Sequence, residues 1–188
     1  MIRTDVNTVH LAGTVTSSKL WDPRPGNSLT NGSVTLDTGD ARIRLSVTVS
    51  TEGNFDEVSA FKNMFKQGAS VVLLNSFFAG YERNKDGKKE YIYKLDSRIS
   101  GAAVSDGSRI NSACVSGTVL QQAGKGLVVS AQYKTRGSNP EIRSRQVKVK
   151  LTEVNGTNMK GKRGVFLGKV VTTDNGAYLD CTGYTTFS

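Results

Sequence analysis

The sequence predicts a mainly β protein built from two similar barrels in tandem, the first of which carries one helix. Three observations lead to this fold class: a segment that occurs twice, strands in which apolar and polar residues alternate, and hairpin turns at matching places in both halves. The chain has 188 residues, of which 37% are hydrophobic, and this is enough for two small domains that each bury a core. Three prolines and 20 glycines are typical of tightly coiled β-structure.

The first strand of each half is a repeated segment. Asn7–Val15 returns as Asn111–Val119 at an offset of 104 residues without a gap. Asparagine, glycine, threonine and valine recur at the same places, and apolar positions match apolar ones. Between the halves lies the small and polar stretch Gly101–Arg109, which is typical of a linker. The sequence therefore predicts one domain over residues 1–104 and a second over residues 105–188.

Later segments follow the same order in both halves. Residues 41–50 and 146–151 alternate between apolar and polar side chains, which predicts two half-buried strands with a basic outer face. Asp86-Gly87 and Asn175-Gly176 each separate two apolar stretches, and both pairs tolerate the positive φ of a tight hairpin. Each half is thus predicted to contain a strand, a long connection, a further strand and a final hairpin.

The two halves differ in the interval before that hairpin. Residues 54–67 predict a helix, because Asn54 and Glu57 have the spacing of a capping box and Gly68 can end the apolar stripe that follows. The matching interval of the second half, Asn155–Gly164, consists mainly of glycine, asparagine and basic residues, and no helix fits it. We therefore expect the second barrel to be reduced.

Positive charge is concentrated in the second half of the chain. The formal net charge is +9; residues 1–103 hold 13 basic and 11 acidic side chains, whereas residues 104–188 hold 12 and 5. A basic excess without acidic balance favours a polyanionic partner such as a nucleic acid.

The sequence contains no catalytic constellation, and we expect no enzyme, no metal site and no cofactor. His10 is the single histidine, and Cys114 and Cys181 lie outside any CxxC pair, which is too little for a zinc site or a nucleophile–base pair. No phosphate-binding Gly-x4-Gly-Lys-Ser/Thr loop occurs. The longest aliphatic run, Val71–Leu74, is too short to span a membrane. Two reduced thiols and the lack of an apolar leader predict a cytoplasmic location.

Residues 5–100 resemble the OB-fold domain of bacterial and phage single-stranded-DNA-binding proteins. The motifs that carry the resemblance are Asn7-x-Val9-x-Leu11-x-Gly13-x-Val15, the alternating strand Ile43–Val49, the helix ending in Lys66-Gln67-Gly68, the strand Ala69–Leu73 and the hairpin at Asp86-Gly87. The resemblance implies two tandem OB-type five-stranded Greek-key barrels that bind single-stranded DNA without sequence preference, in replication, recombination or repair. The second copy departs from the family pattern. The lack of an acidic run before Phe187 also departs from that pattern, and replication and recombination proteins stay partners to test.

A binder of this kind needs aromatic platforms for bases and cations for phosphates. Trp21 is the first candidate platform because it lies in a loop rich in proline and glycine. The first hairpin and the second half supply tyrosines interleaved with lysine and arginine. The candidate nucleic-acid-binding residues are Trp21, Arg42, Arg44, Tyr81, Arg83, Lys85, Lys88, Lys89, Tyr91, Tyr93, Lys94, Tyr133, Lys134, Arg136, Arg143, Arg145, Lys148, Lys150, Lys162 and Arg163.

Several alternatives stay open on the sequence alone. Single-stranded RNA is a second ligand to test, and a recombination-mediator protein is a related class. A phage structural or assembly protein built from β-barrels belongs to a different class. Family members often pair several barrels, so a homodimer is a further expectation by analogy. If the chain is phage-encoded, it would act in the host cytoplasm.

Overall fold

The computed structural model describes residues 4–52, 56–135, 139–153 and 158–187, and its secondary structure is mainly β. The strands are β1 (Asn7–Leu20), β2 (Leu29–Asp37), β3 (Arg42–Ser50), β4 (Ser70–Lys85), β5 (Lys88–Arg98), β6 (Ala102–Val104), β7 (Ile110–Ala123), β8 (Gly126–Lys134), β9 (Ile142–Leu151), β10 (Arg163–Thr173) and β11 (Gly176–Phe187). Helix α1 spans Glu57–Met64, and a 3-10 turn covers Ile99–Gly101. The predicted mainly β class with one α-helix is confirmed for the described residues.

The chain divides into two compact units. The N-terminal unit comprises residues 9–77 and 95–111, and the C-terminal unit comprises residues 1–8, 78–94 and 112–188. The outer part of the β4–β5 hairpin, residues 78–94, therefore belongs to the C-terminal unit, as do residues 1–8. The division at residue 105 into separately folding domains stays a prediction.

Five strands close a barrel in the N-terminal unit. Strand β1 pairs with β2 and, through its earlier residues, with β4. Strand β2 pairs with β3, β3 runs parallel to β5 at residues 46–48, and β5 and β4 are neighbours. This closed Greek-key order confirms the OB-type barrel. The short strand β6 pairs with β4, so the predicted linker Gly101–Arg109 contributes three residues to the sheet.

The C-terminal unit repeats the same strand order. Strand β7 pairs with β8 and β10, β8 pairs with β9, β10 pairs with β11, and β9 runs parallel to β11 at residues 149–151. One irregularity recurs 104 residues apart: β1 bulges between Val15 and Ser17, and β7 between Val119 and Gln121. The repeated segment therefore encodes a strand that bends at one fixed point and pairs with two neighbours.

A glycine makes this bend possible in each barrel. A Cβ atom on Gly13 would lie 2.3 Å from the carbonyl oxygen of Asp37, and one on Gly117 would lie 2.2 Å from the carbonyl oxygen of Ser130. Both obstructing atoms belong to the backbone of a neighbouring strand, so a side chain fits only if that strand moves. This close approach explains why glycine stands at the same place in both copies.

Helix α1 is shorter than the predicted range 54–67. Its cap is Asp56, whose carboxylate accepts a hydrogen bond from the Ser59 N–H at 2.9 Å. Glu57 does not serve a capping box, because its carboxylate accepts the N–H of Ser50 at 2.6 Å. The helix begins at Glu57, and the hydrogen bond from Ser50 connects this first residue of the helix to the end of β3.

The helix ends three residues before the predicted end at residue 67. The predicted cap Asn54 lies outside the described residues. The C-cap of the helix is the buried Phe65, and Gly68, with φ of +84°, donates its N–H to the Val15 carbonyl. Gly161 has φ of +83° and makes the same bond in the second barrel. The described part of that second connection, residues 158–162, contains turns and no helix.

We expect Gly117→Ala to lower the free energy of unfolding by about 1–3 kcal/mol, because the new methyl group must displace the backbone of β8. Gly183→Ala is the matched control in the same unit, since a Cβ atom there would meet no atom within 4 Å. Chemical denaturation of both variants checks this. Equal stability of the two variants would contradict the close approach described above.

Candidate nucleic-acid interface

The excess positive charge lies in the C-terminal unit. The sequence of this unit holds 17 lysines and arginines against 8 acidic residues, a net of +9, whereas the N-terminal unit holds 8 against 8. The fold concentrates the charge more than the two halves of the sequence do, because residues 78–94 join the C-terminal unit. A polyanion is therefore attracted mainly to this unit.

The outer face of β2 and β3 is a ledge of small polar side chains with cations and two carboxylates, Asp37 and Asp96, along it. Strand pairing places residues in rows across the barrel: Asn31 lies beside Thr48, and Thr48 lies beside Arg98. Trp21 continues this row, because its N–H donates to the Asn31 carbonyl at 3.1 Å. Its side chain is 43% exposed. We call this surface the N-terminal ledge; its members are Lys19, Trp21, Asn31, Ser33, Asp37, Arg42, Arg44, Ser46, Thr48, Asp96 and Arg98.

Two predicted arginines lie on the ledge, and two further cations were missed. Arg42 and Arg44 are both exposed, and Arg44 Nε donates to Ser33 Oγ at 3.4 Å. Lys19 pairs with Ser33 across β1 and β2, and Arg98 reaches the ledge through the parallel pairing of β5 with β3. Only the register between strands brings these two residues to the ledge, and no pattern within one strand contains that register.

The hairpin arm, residues 78–94, carries an exposed aromatic ring among cations. Tyr81 is 49% exposed, and Lys94 Nζ lies 5.8 Å from the centroid of its ring. The other predicted cations of the arm are also exposed: Arg83, Lys85, Lys88 and Lys89. Tyr81 and Lys94 together resemble a small platform on which a base can stack beside a positive charge.

Two ion pairs hold cations of the arm at its surface. Arg83 pairs with Glu90 at 2.8 Å, and Lys89 pairs with Glu82 at 4.0 Å. The hydrogen bond from Arg83 lowers the pKa of Glu90 below its ordinary value. Such exposed pairs contribute little to stability, so a phosphate can replace the carboxylate at low cost.

The other two tyrosines of the arm lie against β9. The rings of Tyr91 and Tyr93 are in contact, with centroids 4.8 Å apart. The Gln146 N–H donates to Tyr91 Oη at 3.2 Å, and Tyr93 Oη donates to Gln146 Oε1 at 3.3 Å. Lys148 Nζ lies 4.3 Å from the centroid of the Tyr93 ring. Both tyrosines are half-buried and join the arm to β9, which leaves Tyr81 as the exposed tyrosine of the arm.

The outer side of β8 and β9 carries part of the predicted basic cluster. Lys148 and Lys150 alternate with the buried Val147, Val149 and Leu151, so they point away from the core. On β8 the exposed Lys134 also points away from the core, because it alternates with the inward-facing residues of that strand. We call this surface the C-terminal face; its members are Tyr91, Tyr93, Lys134, Gln146, Lys148 and Lys150.

The remaining cations of β9 lie on the opposite side of the β8–β9 hairpin. Arg143 pairs with Tyr133, and Arg145 Cζ lies 3.9 Å from the centroid of the Tyr133 ring. Arg143 also forms an ion pair with Glu141 at 2.9 Å. Successive side chains of a strand point to opposite sides, and this continues beyond the last buried residue of the core. Arg143, Arg145 and Tyr133 therefore point to the same side as the buried residues of their strands. The structure thus divides one predicted cluster between two surfaces.

The last three predicted residues have different positions. Arg163 pairs with the carboxylate of Asp5, whose side chain is 2% exposed and also accepts the Gln132 N–H at 2.9 Å. This ion pair holds Asp5, near the start of the chain, against β10 of the C-terminal unit. Arg163 therefore has a structural role in that unit. Lys162 lies half-buried directly before β10. Arg136 lies outside the described residues.

The described ranges contain no group of three or more His, Cys, Asp or Glu side chains that could hold a metal ion. None of the helices in those ranges is long and apolar enough to cross a membrane. Cys114 is half-buried, Cys181 is buried, and burial raises the pKa of both thiols. Neither thiol is therefore activated as a nucleophile at neutral pH.

The fold defines a protein of two OB-type barrels in one chain. A search of solved structures finds the same fold in the single-stranded DNA binding protein from Thermus aquaticus. A deletion variant of that protein matches with a TM-score of 0.65 and 15% identity over 98% of this chain and 96% of that chain. The wild-type protein matches with a TM-score of 0.63 and 14% identity, over 99% and 95%. No protein-family model matches the sequence, and no curated protein matches it significantly. The similarity extends over both units.

We expect Tyr93 to ionise at a higher pH than an ordinary tyrosine. Burial, with a smaller contribution from Tyr91, raises the pKa of Tyr93 above its ordinary value of 10.0. A raised folded-state pKa contributes stability that is complete below pH 10 and is lost as the pH rises through the folded-state pKa. Tyrosinate absorbance should show a late step in the wild type that is missing in Tyr93→Phe. An unchanged titration in Tyr93→Phe would disprove the assignment.

Proposed function

We propose that this protein binds single-stranded DNA without sequence preference and protects it during replication, recombination or repair. The observation that carries the proposal is the net charge of +9 in the C-terminal unit, where Lys148 lies over the ring of Tyr93 in the arm. Single-stranded nucleic acid presents phosphates and bare base faces, and this unit offers cations and aromatic rings for both. The protein is proposed to act by binding alone, in the cytoplasm, and not as an enzyme.

The N-terminal unit would contribute stacking more than charge. It holds equal numbers of basic and acidic residues, but Trp21 is exposed at the end of the ledge. Beside Trp21 the ledge is lined with short side chains such as Asn31 and Thr48, which leave room for a base to lie flat. The arginines of the ledge would hold the phosphates of the same stretch of strand.

The similarity to a single-stranded DNA binding protein over both units supports this proposal. A duplex hides its base faces, so aromatic rings favour a single strand over a duplex. Cations alone would not discriminate between the two. A homodimer that brings four barrels together stays a prediction.

Single-stranded RNA is a second candidate ligand because of the chemistry of the ledge. Asn31, Ser33, Ser46 and Thr48 place an amide and three hydroxyl groups on one face. These groups can donate to and accept from a ribose 2′-hydroxyl, which DNA lacks. Competition between dT30 and rU30 decides between the two ligands, and preference for rU30 would favour RNA.

We expect the affinity for fluorescent dT30 to fall steeply with salt, because each neutralised phosphate releases counterions. The slope of log affinity against log salt is about −0.7 per phosphate contact on single strands. Lys148→Gln combined with Lys150→Gln should therefore make the slope shallower by about 1.4. Lys62→Gln is the control, since Lys62 is an exposed lysine of helix α1 and is a member of neither surface.

Fluorescence anisotropy at several salt concentrations measures these slopes. Binding that depends little on salt, together with self-assembly in the absence of nucleic acid, would contradict the proposal and favour a structural protein. An equal affinity for duplex DNA would also contradict it.

Trp21 should report the bound strand directly, because it is the single tryptophan of the chain. We expect dT30 to quench its emission, and Trp21→Ala to weaken binding by about 5- to 150-fold, since stacking contributes about 1–3 kcal/mol per base. Phe187→Ala is the control, as Phe187 is 54% exposed but lies on neither surface. Unquenched emission and an unchanged affinity would remove Trp21 from the interface.

A further inference from the structure

A cavity borders the C-terminal face and shares Lys148 and Lys150 with it. It has a volume of about 350 Å³ and lies on strands β8 and β9, next to the β7–β8 turn. That volume is within the range of small-ligand sites, about 300–1,000 Å³. The lining side chains that matter here are Ala123, Leu127, Val128, Lys148, Lys150 and Tyr178.

The strand register explains how this cavity is built. Val128 pairs with Lys148, and Gly126 pairs with Lys150, so apolar or absent side chains on β8 lie opposite lysines on β9. Leu179 pairs with Val149 in the parallel ladder, which brings Tyr178 of β11 next to Lys148. The result is an apolar floor, one aromatic wall and a rim with two lysines, of which Lys150 also lies beside Asp180 in the ladder with β11.

The cavity is continuous with the C-terminal face through Lys148 and Lys150, which belong to both. Lys148 lines the cavity, and its Nζ also lies 4.3 Å from the centroid of the Tyr93 ring. Lys148 therefore stands between the aromatic rings of the arm and the aromatic wall of the cavity. A strand that follows the arm across β9 would reach the cavity without leaving the basic surface.

We propose that the cavity receives one nucleobase of the bound strand, with Tyr178 stacking on the base. Lys148 and Lys150 hold the phosphates on its two sides. The inference rests on the proposed function and adds a discrete base site to it. A planar apolar group flanked by two anions is the ligand that fits an apolar floor with a cationic rim, and a nucleotide within a strand has this chemistry.

A single indole placed in the cavity tests the assignment. Trp21→Phe combined with Tyr178→Trp makes position 178 the site of the only tryptophan, and saturating dT30 should quench its emission. Trp21→Phe combined with Tyr184→Trp is the control, because Tyr184 lies further along β11 and does not line the cavity. Unchanged emission from position 178 at saturation would overturn the inference.

Two further variants measure the contribution of the site to affinity. Tyr178→Ala removes the stacking ring, and Ala123→Trp fills the cavity from an exposed position. Each should weaken dT30 binding by about 5- to 150-fold with an unchanged salt slope, because no phosphate contact is lost. Tyr178→Phe should bind like the wild type. Thermal unfolding of each variant shows whether a loss of affinity comes from a loss of folding.

The failure of this inference and the failure of the proposed function give different results. If the wild-type chain does not bind dT30, the proposed function is wrong. If the wild type binds dT30 while Tyr178→Ala and Ala123→Trp bind equally well, the strand bypasses the cavity and only the base site is wrong.

Discussion

The fold depends on the bend in the first strand of each barrel, where a strand must pair with two neighbours at once. At Gly13 and Gly117 the backbone of the next strand comes so close that a side chain cannot fit, and a bulge follows two residues later in both strands. The bent strand pairs with a neighbour on each side, and these pairings close the sheet. Closure in turn fixes which residues of β3 and β9 face the core, and it thereby decides which of the cations reach the outer surface.

The two barrels share a strand order but differ in the chemistry that they expose. The N-terminal unit is electrically neutral as a whole and presents short polar side chains beside one exposed tryptophan. The C-terminal unit holds the whole net charge, in part because the arm of residues 78–94 contacts β9 through Tyr91 and Tyr93. A polyanion would thus be attracted by one unit and held through stacking by both.

The sequence predicts the features that arise from local patterns. The repeat, the alternating strands and the two-residue turns lead to the correct fold class, because each depends on neighbours along the chain. The helix ends are wrong by a few residues, since Asp56 competes successfully as the cap. Contacts between distant residues leave no local pattern: Arg163 meets Asp5 across 158 residues, and Tyr91 meets Gln146 across 55. Successive side chains of β9 point to opposite sides, and this divides its cations between two faces. The sequence does not show where the buried part of the strand ends, so it does not show which of these faces is covered by the core.

Photo-crosslinking of the complete chain to dT30 that contains 4-thiothymidine, followed by peptide mapping, tests the central claim most directly. The account predicts crosslinks within residues 78–94 and 144–150, which lie on the arm and β9 of the C-terminal unit. Unlabelled dT30 should abolish these crosslinks, and an equal concentration of duplex DNA should not. Crosslinks confined to other parts of the chain, or equal competition by duplex DNA, would contradict the account.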